Sequence, residues 1–306
     1  MRCPICSSNQ IEIQADYRFA NSCFENLKRV KCLDCELHFA NPMPNDQALD
    51  YYNKSYHESA HKGVDREKDK IISSFYSGIA KTRLDFIIKH VNVEKNLNFN
   101  VLEIGPGPGE FVKVWKKNYP KSNYFVLESD KNCHPSLKSL GSNIIEEKNL
   151  DAINIKFDFL IISHVLEHVK NPNEFLKYFT SKLKENAFAF IEVPCNDWMH
   201  KDKDEPHLLF FDKKAMSVLL KNINVKLVKL AYYGLPISRL NNKIIKFLRR
   251  LRSFSMARGI SIYHPEKTRL NKILNNTKET NSLLNFDAHI EQNEPSWWLR
   301  VIYRKN

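Results

Sequence analysis

The chain of 306 residues predicts an α/β protein: a Rossmann-like, doubly wound sheet of seven strands behind a small cysteine-held ribbon. Three observations predict it. Strand-like apolar runs alternate with helix-like amphipathic runs from about residue 99 onward, the pattern of a parallel sheet covered on both faces. A glycine-rich turn, Gly105-Pro106-Gly107-Pro108-Gly109, separates the first such strand from the first such helix, at the place where doubly wound sheets bind ligands. Two Cys-x-x-Cys pairs, Cys3/Cys6 and Cys32/Cys35, stand near the N-terminus.

The cysteine pairs define the first unit, residues 1–45. In a reducing compartment a disulfide framework is disfavoured, so paired Cys-x-x-Cys motifs read as metal ligands. Four thiolates close a tetrahedral shell, which makes the expected zinc structural; a redox motif is the alternative. The spacer between the pairs is long enough for a hairpin of "IEIQADYRFA" and "NLKRVK". Cys133 and Cys195 stand alone and read as small buried apolar residues; Cys23 has no assigned role. Pro42 and Pro44 end the ribbon. Residues 46–95 read as a helical linker. Apolar residues at helical spacing from Ile71 to Ile88 predict one helix there. Residues 96–306 form the main domain. Its predicted strands are "NVLEIG", "NYFVLES", "SNIIEEK", "FDFLIISHV", "AFAFIEVP", "VKLVKLAYYG" and "SWWLRVIYRK". The helix "NPNEFLKYFTSKLKEN" has Asn171 as its cap and Pro172 in its first position. An insertion at about 235–294 carries a basic amphipathic stretch, "NNKIIKFLRRLRSFSMARG".

Composition narrows the partners. Apolar residues make up 42% and charged residues 27% of the chain, ordinary for a globular protein. No apolar run is long enough to span a bilayer, and the start "MRCPICSSNQ" has no apolar signal region. A cytoplasmic protein with no membrane span is therefore expected. The formal net charge of +12 favours anionic partners such as a nucleotide-sugar or nucleic acid; a lysine-rich composition without a partner is the other reading. The sequence leaves the oligomeric state open.

The glycine turn carries the chemistry. Its spacing is G-x-G-x-G, and Glu103 stands two positions before its first glycine. Glycines there permit positive φ and close backbone approach to a ligand. A pyrophosphate would be repelled by that carboxylate, whereas an ammonium or sulfonium charge would be attracted. Glu128 ends the second strand, where a carboxylate can accept hydrogen bonds from both hydroxyls of a ribose.

The segments "VLEIGPGPGEF", "YFVLESD", "FDFLIISHVLEHVKNP" and "FIEVP" together resemble the class I S-adenosylmethionine-dependent methyltransferases. With "CPIC…CLDC" and the following tyrosines, the chain resembles the zinc-ribbon subgroup, which serves surface-glycan and sugar-modifying pathways. The resemblance implies S-adenosylmethionine as methyl donor. Glu103, Gly105, Gly107 and Gly109 would line its methionine end, Glu128 would hold its ribose, and the backbone at Ser163 and His164 would close the site. The implied acceptor is a small sugar-like, anionic molecule methylated on oxygen or nitrogen. RNA gripped through the ribbon and basic insertion is the alternative, and a non-catalytic cofactor-binding protein a third.

"HVLEH" at 164–168 also fits the H-x-x-E-H pattern of some zinc peptidases, but that reading needs a long helix and "KNP" follows too closely. By the resemblance, the segment faces the transferring methyl group. His168 is the first candidate for a base and Glu167 for its orienting partner, against a role in bracing the loop. His207 in "EPHLLFF" is the second candidate base, against packing at a helix start beside Phe210 or Phe211. Tyr51, Tyr52 and Tyr56 read as a lid or as ordinary packing.

Overall fold

A computed structural model describes residues 1–47, 49, 70–93, 98–240, 242–244, 247 and 290–306. The tyrosines 51, 52 and 56 and the basic stretch around Arg249 and Arg250 lie outside the described residues. In chain order the elements are β1 (Ile11–Asp16), β2 (Lys28–Cys32), β3 (His38–Asn41), α1 (Lys70–His90), β4 (Asn100–Ile104), α2 (Glu110–Asn118), β5 (Asn123–Leu127), α3 (His134–Ser139), β6 (Asn143–Ile144), β7 (Phe157–Ser163), α4 (Pro172–Ser181), β8 (Leu183–Pro194), β9 (Leu209–Phe210), α5 (Lys213–Asn222), β10 (Lys226–Pro236), β11 (Glu291–Gln292) and β12 (Ser296–Arg304).

The main sheet has the order β11-β10-β12-β8-β7-β4-β5-β6. Strands β6, β5, β4, β7 and β8 run parallel. Strand β12 is antiparallel to both β8 and β10. The chain builds outward from β4 through β5 to β6, then returns to β7 on β4's other side. That reversal makes the carboxyl ends of β4 and β7 the topological switch point. Among the described residues the sheet has eight strands, not the predicted seven. The extra one, β11, pairs through Tyr232 and Tyr233 at the β10 edge, and its two polar residues give no apolar alternation to read.

Alternation along the central strands divides the core. Val101, Phe159 and Ile161 face a cluster with Trp115 of α2 and Leu84 and Ile87 of α1. Leu102, Ile104, Leu160 and Ile162 face the other way, against Leu176 of α4 and Leu219 of α5. The helix predicted through residue 186 stops at Ser181. The Phe157 amide donates to the Lys182 carbonyl, and Leu183, buried, already pairs with Phe157, so burial of Leu183 in the sheet outweighs helix continuation.

Strands β1, β2 and β3 form the predicted hairpin and one strand more, and β9 completes that sheet from the far side of the chain. Val30 and Phe39 belong to the same core cluster as Leu209 and Phe210. Arg18 and Arg29 both reach the fully buried carboxylate of Asp204, and Arg29 lies 4.2 Å over the Trp198 ring. The ribbon thus shares a sheet, a core and an ion cluster with the main domain. No helix among the described residues is long and apolar enough to cross a membrane.

Candidate active site at the carboxyl ends of the parallel strands

The turn after β4 is shaped by its glycines. Gly105 has φ +63°, and a Cβ there would stand 2.6 Å from Val165 Cγ2, so the turn packs directly under the loop after β7. Gly107 has φ +57°, and among the described residues no atom lies within 4 Å of where a Cβ would be. Its amide donates to Glu128 Oε2 at 2.8 Å, and the Asp130 amide donates to Glu128 Oε1 at 2.9 Å. Each carboxylate oxygen keeps a second lone pair for a hydroxyl. Gly109 begins α2 at φ +91°. Asp130, by contrast, is committed to capping the turn at Asn132.

Glu103 is buried in β4 and accepts a 2.8 Å hydrogen bond from the Tyr124 hydroxyl. Burial pushes its carboxyl up to about 7, against the pull of that bond and of Arg83. Burial also raises Glu128, with the two amides opposing. Ser163 ends β7, and its Oγ is buried without a hydrogen-bond partner.

Beyond Ser163 the chain leaves the sheet. His164 has φ +56°, and its amide donates to the Glu192 carbonyl. Only a 3-10 turn at Leu166–His168 follows, and a residue at positive φ cannot continue a right-handed helix, so His164 and His168 do not share a helical face. The two rings meet instead through a carboxylate. His164 Nδ1 is 3.3 Å from Glu167 Oε1 and its Nε2 is 3.2 Å from Glu192 Oε1. Burial opposes a charge on His164, but the two carboxylates prevail and raise its pKa.

His168 and His207 come together although 39 positions apart; their rings sit edge to face at 5.0 Å. His168 Nδ1 contacts the Pro206 carbonyl at 3.2 Å, and its Nε2 lies 3.9 Å from Glu167 Oε1. His207 Nδ1 is 2.8 Å from Asp197 Oδ2, and its Nε2 is 4.0 Å from Glu167 Oε1. His207 does not start a helix, the packing role that its sequence context allows. It precedes β9, with its carbonyl accepting from the Tyr17 hydroxyl at 2.8 Å.

At the N-terminus, Cys3 Sγ is 3.4 Å from Cys35 Sγ and Cys6 Sγ is 3.4 Å from Cys32 Sγ. These contacts are far longer than a disulfide of about 2.05 Å. All four sulfurs lie within 4.8 Å of one another. The two knuckles repeat one geometry: the Ser7 amide donates to the Cys3 carbonyl and the Glu36 amide to the Cys32 carbonyl, with Ser7 at φ +59° and Glu36 at φ +63°.

A family model described as a methyltransferase domain matches residues 64–230, more than half of the chain. The chain belongs to that family. It is an S-adenosylmethionine-dependent methyltransferase. No curated protein matches the sequence. Among solved structures, a Thermotoga maritima methyltransferase described as a possible histamine N-methyltransferase aligns with 84% of this chain and 100% of its own at 11% identity, with a TM-score of 0.51. An S-adenosylmethionine-dependent methyltransferase from Archaeoglobus fulgidus aligns with 75% of this chain and 94% of its own at 16% identity and a TM-score of 0.46. The first of these likenesses shows a common fold.

The methyltransferase site contains groups that the sequence did not single out. Glu192 accepts from Arg83 Nε at 2.7 Å and from Arg300 Nε at 2.6 Å, and Arg300 also donates to Thr82. The two arginines hold Glu192 well below the usual carboxylate range despite its burial. Arg300 and Glu192 are register partners on β12 and β8. The signal was present: one acid in "FAFIEVP" and one base in "WWLRVIY", opposite charges inside two otherwise apolar strands.

Proposed function

We propose that the methyltransferase modifies an oxygen or nitrogen of a small, sugar-like, anionic acceptor, and that Cys3, Cys6, Cys32 and Cys35 hold a structural zinc. The observation that carries the acceptor reading is the convergence of Glu167, His168 and His207 on the loop that packs against the glycine turn. Imidazole and carboxylate groups placed there suit an acceptor that must lose a proton. The net charge of +12 suits an anionic one. The sulfur spacing fits the metal: tetrahedral Zn–S bonds of about 2.3 Å put sulfurs about 3.8 Å apart. Reduced thiolates of this kind belong in a reducing compartment such as the cytoplasm.

The residues fit the cofactor on two observations: among the described residues nothing fills the space over Gly107 and nothing pairs with Ser163 Oγ. Glu103 and the backbone of Gly105, Gly107 and Gly109 would hold the methionine end. Glu128 would accept from the ribose hydroxyls. Ser163 and His164 would border the methyl group. The bound cofactor supplies an electrophilic methyl on a sulfonium. The acceptor's lone pair forms the new bond as the carbon–sulfur bond breaks, sulfur keeps that electron pair, and the acceptor's proton passes to the His168 or His207 side. The protein's part is alignment and proton removal.

A panel of nucleotide-sugars, sugar phosphates and RNA, incubated with labelled S-adenosylmethionine, tests the reading. Label should appear in a sugar-containing acceptor. Label in RNA alone would overturn the sugar assignment.

A further inference from the structure

We infer that Glu167, His168 and His207 form a second metal site, distinct from the four cysteines, that takes a first-row divalent cation beside the methyl-transfer position. The inference rests on the methyltransferase reading above for what the cation would do, but not for whether it binds.

The neighbours of each ring orient its tautomer. His168 Nδ1 faces the Pro206 carbonyl, which can only accept, so Nδ1 carries the proton and Nε2 is the acceptor. His207 Nδ1 lies 2.8 Å from Asp197 Oδ2, an ion-pair contact that likewise favours the proton on Nδ1 and leaves Nε2 the acceptor. Both Nε2 atoms then turn lone pairs toward one carboxylate oxygen, Glu167 Oε1, at 3.9 and 4.0 Å. Glu167 is 1% exposed, and among the described residues neither of its oxygens has a hydrogen-bond partner. Its nearest cation, His164 Nδ1 at 3.3 Å, is a charge contact shared with Glu192. His164 offsets the Glu167 charge from one side only, and a cation between the Glu167 oxygen and the two Nε2 atoms would draw all three together.

The geometry admits an ion. Two ligands about 2.1 Å from one centre stand at most about 4.2 Å apart. The separations to Glu167 fall inside that limit. The ligand atoms of all three residues lie within 4.8 Å of one another, so small side-chain rotations would close the set. Two imidazoles and a carboxylate suit zinc, manganese, iron or cobalt and leave positions open. The outer partners have the usual form: each ring turns its other nitrogen toward a carboxylate or carbonyl. The backbone is braced as well, since the Leu208 amide donates to the Glu167 carbonyl and the Tyr17 hydroxyl to the His207 carbonyl. With the cation bound, both Nε2 atoms would serve as ligands in place of the base role given above; the open positions beside the methyl group would take an acceptor oxygen in its deprotonated form, its proton leaving to solvent, which makes an acceptor with adjacent oxygens the fitting class.

The test uses the full chain with its cysteine site loaded with zinc. Equilibrium dialysis against Mn²⁺, with metal content measured per chain, should find one equivalent beyond the zinc. Glu167→Gln and His207→Ala should each lose it, and Asp197→Asn should weaken it about 10–100-fold. S-adenosylhomocysteine calorimetry on the same samples reports folding and the cofactor site separately. Wild-type protein that binds S-adenosylhomocysteine but takes up no Mn²⁺, Co²⁺ or second zinc would overturn the metal site and leave the methyltransferase reading standing. Retention of the extra equivalent by folded Glu167→Gln would overturn the ligand assignment. Should the variants fail to fold, the wild-type stoichiometry still decides.

Discussion

In the proposed site, Glu103 is the residue on which cofactor binding and pH would meet. Its folded pKa of about 7 is raised from an ordinary value near 4.5, so burial favours the protonated form. The sign follows from linkage. This contribution to stability is full below about pH 4.5 and is lost as pH rises through 7, and each pH unit between the two values is worth roughly 1.4 kcal/mol. A bound ammonium or sulfonium would reverse the preference. Binding of S-adenosylhomocysteine should therefore tighten between pH 6 and 8 and release a fraction of a proton near pH 7. Calorimetry in buffers of different ionisation enthalpy measures both. Glu103→Gln keeps an acceptor for Tyr124 but should abolish the pH dependence and weaken binding roughly 10–100-fold, the worth of a charge-assisted bond. An unchanged pH profile in that variant would remove Glu103 from the cofactor's surroundings. Gly107→Val fails for a different reason. It adds a β-branched side chain at φ +57° and fills the space above the turn, so affinity should fall while Tm changes mainly through backbone strain.

Between elements, the contacts of the ribbon with the segment 197–210 set the position of His207. Tyr17→Phe removes the donor to the His207 carbonyl and should cost about 1–3 kcal/mol if that carbonyl stays buried and unpaired. Asp204→Ala strips a buried carboxylate from Arg18 and Arg29 and should cost about 3–5 kcal/mol. Chemical denaturation measures both, and a loss of transfer rate larger than the loss of S-adenosylhomocysteine affinity would locate the damage at His207. This layer was the least legible in the sequence. The glycine turn, Glu128 and the cysteine pairs announce themselves because their chemistry is local: a strand end, a tight turn, a knuckle. The meeting of His168 with His207, and of Glu192 with Arg83 and Arg300, depends on which strands become neighbours. β9 is two residues long, and no periodicity could be read from it.

For the whole molecule, zinc should act at a distance. Cys32→Ser, or chelation under reducing conditions, should release one metal from the cysteine site and lower Tm, because the ribbon's core is continuous with that of the main domain. Transfer activity should fall further than cofactor affinity, since the glycine turn and Glu128 make no contact with the ribbon through any of the bonds described above. Metal analysis alongside S-adenosylhomocysteine titration separates the two losses; equal losses would mean that the whole chain unfolds as one unit. The chain order of the parallel strands was readable from alternation alone, as was the place of the glycine turn within it. The joining of the ribbon to the rest was not, because it rests on contacts between residues far apart in sequence, among them one short antiparallel pairing, His38 with Phe210 and Phe39 with Leu209. That pairing has a practical consequence for anyone wishing to prepare the catalytic half alone. A fragment starting at residue 46 would present Leu209 and Phe210 as a bare apolar strand edge beside His207, an invitation to self-association. Gel filtration of such a fragment should show aggregates rather than a monodisperse species, so the ribbon serves as the solubilising cover of the very segment that carries the histidine.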